Sequence, residues 1–176
     1  MSIPRRPDPA LLIISVLASK WKNFDPQLLN ALQTDFGPLI YQSELIVFDQ
    51  TDYYNQELGT PIFRRILGFK ELVSQDRLVD IKLRTNEMEK EFSLADGRRV
   101  FNLDPGILNQ ERLVLATGKN FSHRIYLGKG IWADLTLIFQ KKKWQCLAWT
   151  FPDYATQEIQ EELLRLRHEY KKLLNK

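Results

Sequence analysis

Residues 124–139 read RIYLGKGIWADLTLIF, two apolar segments joined by a glycine-rich turn. Alternate side chains of the second segment form an apolar face that we expect in the core: Ile131, Ala133, Leu135, Leu137 and Phe139. A three-residue turn at the glycines pairs Leu127 with Ile131 and sets Arg124 opposite Asp134. A slip of one residue would turn Arg124 toward the core, so the pattern favours this register. Strands joined this closely must be antiparallel.

The chain on either side of this hairpin continues the sheet. Toward the C-terminal end, the predicted strands are residues 98–103, 112–117, 121–127, 131–139 and 143–151. Asp104-Pro105-Gly106 fits a type II turn. A two-residue turn at Lys141-Lys142 places Cys146 beside Leu137 and Trp149 beside Asp134. Toward the N-terminus, residues 11–18 and 39–48 are predicted strands, and residues 62–69 fit either a strand or a helix.

Three helices complete the predicted elements. Asp25-Pro26 opens the first as an N-cap followed by proline, and Gly37-Pro38 ends it. Apolar spacings of three and four predict helices over 74–92 and 156–174. The fold class is therefore α+β, with two or three helices and a curved, mainly antiparallel sheet of six to eight strands that can close partly into a barrel. We expect one domain over residues 1–154, with the C-terminal amphipathic helix of residues 155–176 packed on it.

Composition narrows the class of protein. The chain has 176 residues and a net charge of +3, too small to indicate a nucleic-acid partner. Its one cysteine, Cys146, permits no internal disulfide, which fits a cytoplasmic protein. Pro4-Arg5-Arg6 before an apolar run resembles a secretory signal, but the short, β-branched run favours a buried strand. At eight residues, the run is too short to cross a membrane.

The face opposite the predicted core carries a candidate binding site. Arg124 and Asp134 share it with two tryptophans, Trp132 and Trp149, and Lys119 precedes the strand of Arg124. A guanidinium group binds phosphate or carboxylate through two hydrogen bonds, and aromatic rings can stack an organic group. The alternative is a purely structural Arg124–Asp134 pair beneath the C-terminal helix.

Two further groups of polar residues bear on the site. Lys82, Asn86 and Glu89 form a stripe along the predicted helix of residues 74–92, either a pocket border or a solvated edge with an internal ion pair. His123 is expected to point toward the core, where a buried, hydrogen-bonded histidine is commoner than one that transfers protons. It is the one weak catalytic candidate.

The sequence lacks complete versions of the common nucleotide-binding and zinc-binding motifs. Residues 128–133 match G-x-G-x-x-A, but a strand follows where the dinucleotide motif requires a helix. Gly118-Lys119 lacks the rest of a phosphate-binding loop. One cysteine and two histidines disfavour zinc. Mg²⁺ or Mn²⁺ could still use isolated carboxylates, with Glu89, Asp104 and Asp134 as the weak candidates.

Three function classes follow from these features. The first is a protein that binds a small anionic, phosphate-bearing or nucleotide-like ligand through Arg124, Lys119, Lys82 and Asn86, with Trp132 or Trp149 stacking on it. The second is a divalent-metal-dependent phosphoester enzyme in which His123 moves a proton. The third is a non-catalytic interaction protein whose C-terminal helix forms a homo-oligomer.

An ordered set of short segments carries a resemblance to a known family. The segments are 49–54 (DQTDYY), 81–89 (IKLRTNEME), 102–106 (NLDPG), 115–127 (LATGKNFSHRIYL) and 149–154 (WTFPDY). Together, over residues 11–154, they resemble the prokaryotic family called domain of unknown function 4416. In that family, Glu is usual at the position of Asp134 and Tyr at that of Phe151. The shorter Asp side chain weakens a metal or acid role there.

The resemblance implies a compact cytoplasmic protein of no established activity and supplies no catalytic residue. Members sometimes carry a GTP-binding label, but this chain has neither a phosphate-binding loop nor an Asn-Lys-x-Asp motif. The distinctive positions include many of the polar residues discussed above, which is compatible with a site.

Overall fold

Nine strands and four α-helices form one α+β domain in the computed structural model, which describes residues 1–175, without the side chains of residues 23–25. In chain order the elements are β1 (Ala10–Ala18), α1 (Trp21–Phe36), β2 (Leu39–Gln42), β3 (Ile46–Phe48), α2 (Asn55–Leu58), β4 (Ile62–Val73), α3 (Leu78–Glu91), β5 (Phe101–Leu108), β6 (Arg112–Thr117), β7 (Arg124–Gly128), β8 (Ile131–Gln140), β9 (Lys143–Cys146) and α4 (Gln157–Leu174). A short 3₁₀ turn, Gln75–Arg77, precedes α3. None of the described helices is long and apolar enough to cross a membrane.

The sheet is antiparallel and open. Its strands run in the order β2-β4-β1-β5-β6-β8-β7, and β3 and β9 add to β4 and β8. The predicted α+β class with an antiparallel sheet is confirmed, but the sheet does not close into a barrel. Residues 62–69, which fitted either a strand or a helix, lie in β4.

The central strand β1 explains the apolar run near the N-terminus. All nine of its residues are buried, because β4 and β5 flank it and helices cover both of its faces. Leu12, Ile14 and Val16 pack with α1 and α3. Leu11 and Ile13 pack with α4 on the opposite face. The strand interpretation of this run is therefore confirmed.

The predicted register of the β7–β8 hairpin is confirmed where it matters for the site. Arg124 lies opposite Asp134. On the other edge of β8, Leu137 lies opposite Cys146, after a turn at Lys141-Lys142. Close to the β7–β8 turn the register shifts, and Gly128 rather than Leu127 lies opposite Ile131.

The strict alternation predicted for β8 is wrong. Leu135 lies opposite Val114 and Leu137 opposite Leu113, so Thr136 has no opposing residue in β6. This extra residue is a β-bulge, which inverts the alternation beyond it. Asp134 and Leu137 consequently share one face, and both are at most 1% exposed. Asp134 and Thr136, predicted on the polar face, are thus both buried.

Residues 104–106 are not a turn but the middle of β5. Pro105 lies opposite Ile14 of β1, and pairing with β6 begins only at Gly106. Leu103 and Pro105 are two residues apart, so their backbone groups face the same side, away from β1. The missing N–H of Pro105 therefore costs no hydrogen bond to β1. The proline marks the point where β5 and β6 separate.

Other boundaries also differ from expectation. α1 begins at Trp21 and contains Pro26, so the helix does not start at the proline. The capping prediction for Asp25 concerns a side chain outside those described. The predicted strand of residues 39–48 is divided into β2 and β3. β9 ends at Cys146, and Trp149 therefore lies beyond the sheet.

Candidate functional site

A cavity of about 760 Å³ lies where β5 and β6 separate. Their pairing stops at Gly106, and side chains of α3 occupy the free edge of β5 beyond it. The backbone N–H of Leu103 donates to Glu89 Oε1 at 2.5 Å, and Lys82 Nζ donates to the carbonyl of Leu103 at 2.8 Å. Two side chains of α3 thus replace the hydrogen bonds of a neighbouring strand, and the sheet opens there.

Charged and aromatic side chains from many elements line this cavity. The cationic ones are Arg64, Lys82, Arg99, Lys119 and Arg124. The carboxylates are Glu89, Asp104, Asp134 and Asp153. The aromatic ones are Phe48, Tyr53, Tyr54, Phe151 and Tyr154. Positive side chains therefore outnumber negative ones by one.

Four of the cationic side chains each face a carboxylate. Arg64 binds Asp153, and Lys82 Nζ lies 3.5 Å from Asp104. Arg99 lies 3.0 Å from Glu89, and Arg124 Nε lies 2.9 Å from Asp134 Oδ2. These pairs leave little uncompensated charge on the cavity wall.

Lys119 is the exception among the lining cations. Its Nζ donates to the Tyr53 hydroxyl at 2.9 Å and lies 4.6 Å from the centre of that ring. No carboxylate of the described residues pairs with it. The hydrogen bond from Lys119 lowers the pKa of Tyr53. Among the described residues, Lys119 therefore carries the one lining positive charge that no acid offsets.

Asp134 anchors Arg124 at the cavity wall. Its Oδ2 accepts from Arg124 Nε at 2.9 Å and lies 3.1 Å from His123 Nε2. Arg124 Nη1 donates to the backbone carbonyl of Lys119 at 2.9 Å. Arg124 Nη2 has no partner among the described residues. The guanidinium is thus held at two atoms, with one nitrogen left to donate.

His123 does not point into the apolar core. It precedes β7, so strand alternation does not govern it, and it reaches the same carboxylate as Arg124. Its ring stacks on Trp149 with centroids 5.0 Å apart and an interplanar angle of 10°. Trp149 Nε1 donates to the carbonyl of Leu135 at 2.9 Å. His123, stacked on Trp149, thus contacts Asp134 from outside the cavity lining.

Arg64 is the most enclosed cation of the site. It is 3% exposed, and its guanidinium carbon lies 5.1 Å from the Phe48 centroid and 4.8 Å from the Tyr154 centroid. One terminal nitrogen, Nη2, donates to Asp153. The other, Nη1, is buried without a hydrogen-bond partner among the described residues. Such unpaired buried donors are uncommon in folded proteins.

Arg99 organises the end of the cavity nearest α3. It donates twice to Glu57 at 2.6 Å, once to Glu89 at 3.0 Å and once to Asn102 at 2.8 Å. The hydrogen bonds from Arg99 lower the pKa of the Glu57 carboxyl, whereas burial raises the pKa of the Glu89 carboxyl. Asn102 in turn donates to Asp104 at 2.6 Å. Arg99 thus uses four of its five N–H donors within the protein and has a structural role.

The structure brings most of the sequence-predicted site residues together. Those that line the cavity are Lys82, Asn86, Glu89, Asp104, Lys119, Arg124 and Asp134. Trp132 and Trp149, predicted to stack on a ligand, do not line it, and neither does His123. Trp132 packs on Tyr126 instead, with centroids 4.9 Å apart. The aromatic walls come from other residues.

The carboxylates do not converge as a metal site. Among the described residues, no group of three or more His, Cys, Asp or Glu side chains could hold a metal ion. Glu89 and Asp134 each face an arginine, and Asp104 faces Lys82. The geometry therefore gives the metal-dependent alternative no specific support.

Sequence reasoning missed Arg64, Arg99 and the ring of Phe48. The sequence contains a signal for Arg64, because Arg64-Arg65 lies inside the apolar run of residues 62–69. Burying a charged side chain in such a run is unfavourable unless the charge is paired. Assigning that run to a central strand would have marked Arg64 as a buried, functional or structural cation.

Comparison with known protein families identifies a match. A family model described as Domain of unknown function (DUF4416) matches residues 8–170. No curated protein and no solved structure is significantly similar to the chain.

Proposed function

Since the chain belongs to the family described as Domain of unknown function (DUF4416), whose description names no activity, we propose a function from the cavity itself. The protein binds a small, phosphate-bearing anionic ligand there. Lys119 and Arg124 hold the anion, and the aromatic walls receive the organic part.

One observation carries this proposal: Lys119 and Arg124 present unsatisfied cationic donors at the same cavity wall. Arg124 Nη1 is bonded to the backbone of Lys119, so the two residues are linked. Its free Nη2 and the Lys119 ammonium can both donate to one oxyanion. Charge-assisted hydrogen bonds of this kind are stronger than neutral ones.

The remainder of the cavity suits an organic group. Its volume lies within the range of about 300–1,000 Å³ that is usual for small-molecule sites. Phe48, Tyr54 and Phe151 supply apolar surface, while Asn86 and Asp104 supply hydrogen-bonding groups. Burial raises the pKa of Tyr54, so its hydroxyl stays protonated and can donate.

Thermal unfolding with a panel of anions tests this function. The panel is inorganic phosphate, sugar phosphates, nucleotides and carboxylates. A ligand at one hundred times its Kd adds about 2.7 kcal/mol to the unfolding free energy, which raises Tm by several degrees at about 2–4 °C per kcal/mol. Lys119→Met should abolish the shift.

Lys129→Met is the matched control. Lys129 is also an exposed lysine, but its partner is Asp80, away from the cavity. The shift should survive this substitution. If no anion raises Tm, or if Lys119→Met and Lys129→Met behave alike, the proposed site is wrong.

A further inference from the structure

We propose that the ligand carries one phosphate group and, elsewhere, an uncharged hydrogen-bond acceptor that Arg64 binds. This inference rests on the proposed function and names its ligand class: a phosphomonoester of a hydroxylated or carbonyl-containing group. Diphosphates and triphosphates are excluded from the class.

The pairing of charges sets the limit of one phosphate. Arg64, Lys82, Arg99 and Arg124 each face a carboxylate. A second phosphate would have to displace one of these acids or lie against it. Lys119, without such an acid, supplies attraction for one anionic group only. The wall therefore discriminates against polyanions.

Arg64 provides a second, different recognition element. Asp153 binds its Nη2, and the rings of Phe48 and Tyr154 both lie close to the guanidinium. Nη1 is a buried donor without a partner among the described residues, at a side chain 3% exposed. Arg64 also lines the cavity, so an acceptor that reaches Nη1 comes from a ligand bound there.

The neighbouring carboxylate decides what kind of acceptor Arg64 takes. Asp153 already compensates the positive charge and would repel a second anion beside it. A carbonyl or hydroxyl oxygen accepts the Nη1 proton without that repulsion. Asp104, whose side chain is 32% exposed, has lone pairs left to accept from ligand hydroxyls. The ligand body is accordingly polar and uncharged.

Isothermal titration calorimetry with four monoesters tests the inference. Methyl phosphate is the reference because it carries the anion without an acceptor-bearing body. Ribose 5-phosphate, glycerol 3-phosphate and uridine monophosphate carry hydroxyl or carbonyl groups. We expect at least one of them to bind roughly tenfold more tightly than methyl phosphate, since hydrogen bonds to charged donors have about that effect. Pyrophosphate should bind no more tightly than methyl phosphate.

Arg64→Lys separates the second recognition element from the first. The lysine keeps the charge beside Asp153 but lacks the forked donor. The tenfold preference should fall toward one, while the affinity for methyl phosphate stays unchanged. Lys119→Met should instead weaken all the monoesters together. The comparison of monoesters on the native chain needs no variant, and it tests the inference even if Arg64→Lys unfolds.

The failures are distinguishable. If monoesters bind in a Lys119-dependent way but show no preference over methyl phosphate, the ligand class is wrong and the anion site stands. The same holds if pyrophosphate binds more tightly, or if a folded Arg64→Lys variant keeps the preference. If no phosphate compound binds at all, both the proposed function and this inference are wrong.

Discussion

Asp134 is a carboxylate at 1% exposure, in a strand where the sequence places it among apolar residues. Burying a charge is unfavourable unless hydrogen bonds and an opposite charge compensate it. Arg124 supplies the charge, and His123 adds a ring nitrogen at 3.1 Å. This one residue thus fixes the guanidinium that we assign to the anion.

Replacing Asp134 by asparagine should destabilise the protein strongly. The substitution leaves Arg124, with a side chain only 11% exposed, without its counter-charge. Breaking a buried pair from one side costs about 3–5 kcal/mol, which urea denaturation would measure as a lowered unfolding free energy. Asp80→Asn, at an exposed pair with Lys129, is the control and should leave stability essentially unchanged. Equal effects of the two variants would mean that the Arg124–Asp134 pair is not a buried structural link.

Tyr53 reports on Lys119 through its titration. Its folded pKa lies below the ordinary value of 10 because Lys119 hydrogen-bonds the phenolate. Burial has the opposite effect on Tyr54 and raises its pKa. A pKa lowered by folding means that the unfolded chain binds the proton more tightly. The stabilising contribution of Tyr53 therefore grows as the pH rises through the folded pKa toward 10.

We expect Tyr53 to ionise before Tyr54 in an alkaline absorbance titration. Tyr53→Phe should remove the earliest phenolate signal, and Lys119→Met should move that signal to higher pH. A phosphate ligand at Lys119 should move it in the same direction, because it competes for the ammonium. If Lys119→Met leaves the titration curve of the native protein unchanged, then Tyr53 and Lys119 do not pair in solution.

Two glycines allow close approaches that shape the sheet. A Cβ on Gly106 would lie 2.8 Å from the carbonyl oxygen of Val114, so β5 and β6 can pair there only without a side chain. A Cβ on Gly68 would lie 2.4 Å from Leu166 Cδ2 of α4. The first glycine permits the last pairing before the strands part, and the second lets α4 rest on β4.

Gly68→Ala should therefore loosen α4 from the sheet. Overpacking of a buried contact costs about 1–3 kcal/mol, which we expect as a lower unfolding midpoint in urea. Leu166→Ala shortens the opposing side chain and makes room for the added methyl group. In a chain that already carries Leu166→Ala, Gly68→Ala should therefore lower the unfolding free energy by less than it does in the native chain. Gly118→Ala is the control, since nothing lies within 4 Å of its Cβ position and its φ is not positive. A Gly68→Ala variant as stable as Gly118→Ala would contradict the observed docking of α4.

The hairpin of β7 and β8 could be predicted from the sequence because polar and apolar residues alternate on both strands. Only one register put Arg124 opposite Asp134 and kept the apolar residues together, and the structure has that pair. The bulge at Thr136 could not be predicted, since an added residue leaves no compositional mark. Pro105-Gly106 has the composition of a turn, but its pairing with β1, which the local sequence does not encode, makes it part of a strand.

The candidate site, like the sheet, has residues that the sequence predicts and others that it does not. Most of its polar residues can be predicted, because charged side chains inside apolar patterns stand out locally, but Arg64 and Arg99 are not among those predicted. Its walls cannot be predicted, since Phe48 and Tyr154 meet Arg64 across a long sequence separation. Such contacts depend on strand order, which periodicity does not encode. The predicted register places the tryptophans on the ligand face, but β9 ends before Trp149 and both rings pack elsewhere.

For the whole molecule, α4 is a cover of the sheet and also a support of the cavity. Ile159, Leu163, Leu166 and Tyr170 are each at most 2% exposed and join the core beneath the sheet. The helix begins after Thr156, whose hydroxyl donates to the carbonyl of Asp153 at 2.8 Å. Asp153 holds Arg64, so the start of α4 fixes one wall of the cavity. Helix docking and the site are therefore parts of one arrangement.

Removing residues 156–176 should abolish the fold rather than only an association between chains. Each of the four buried side chains contributes about 1.5–3 kcal/mol, and together they match the whole stability of a typical domain, about 5–15 kcal/mol. We expect the truncated chain to lose its cooperative thermal transition in circular dichroism. A truncated chain that melts cooperatively and loses only oligomerisation, as measured by light scattering, would favour the interaction-protein alternative.

A point substitution tests the same packing without removing the helix. Leu163→Ala should lower the unfolding free energy by about 2–5 kcal/mol, because the buried side chain leaves a cavity. Leu164→Ala is the matched control, one residue along the helix and 38% exposed, and should have little effect. Because the helix start holds Asp153, Leu163→Ala should also weaken phosphate binding in calorimetry, whereas Leu164→Ala should not. If Leu164→Ala lowers the unfolding free energy more than Leu163→Ala does, the opposite face of α4 packs on the sheet. The start of α4 would then not fix the cavity wall as described.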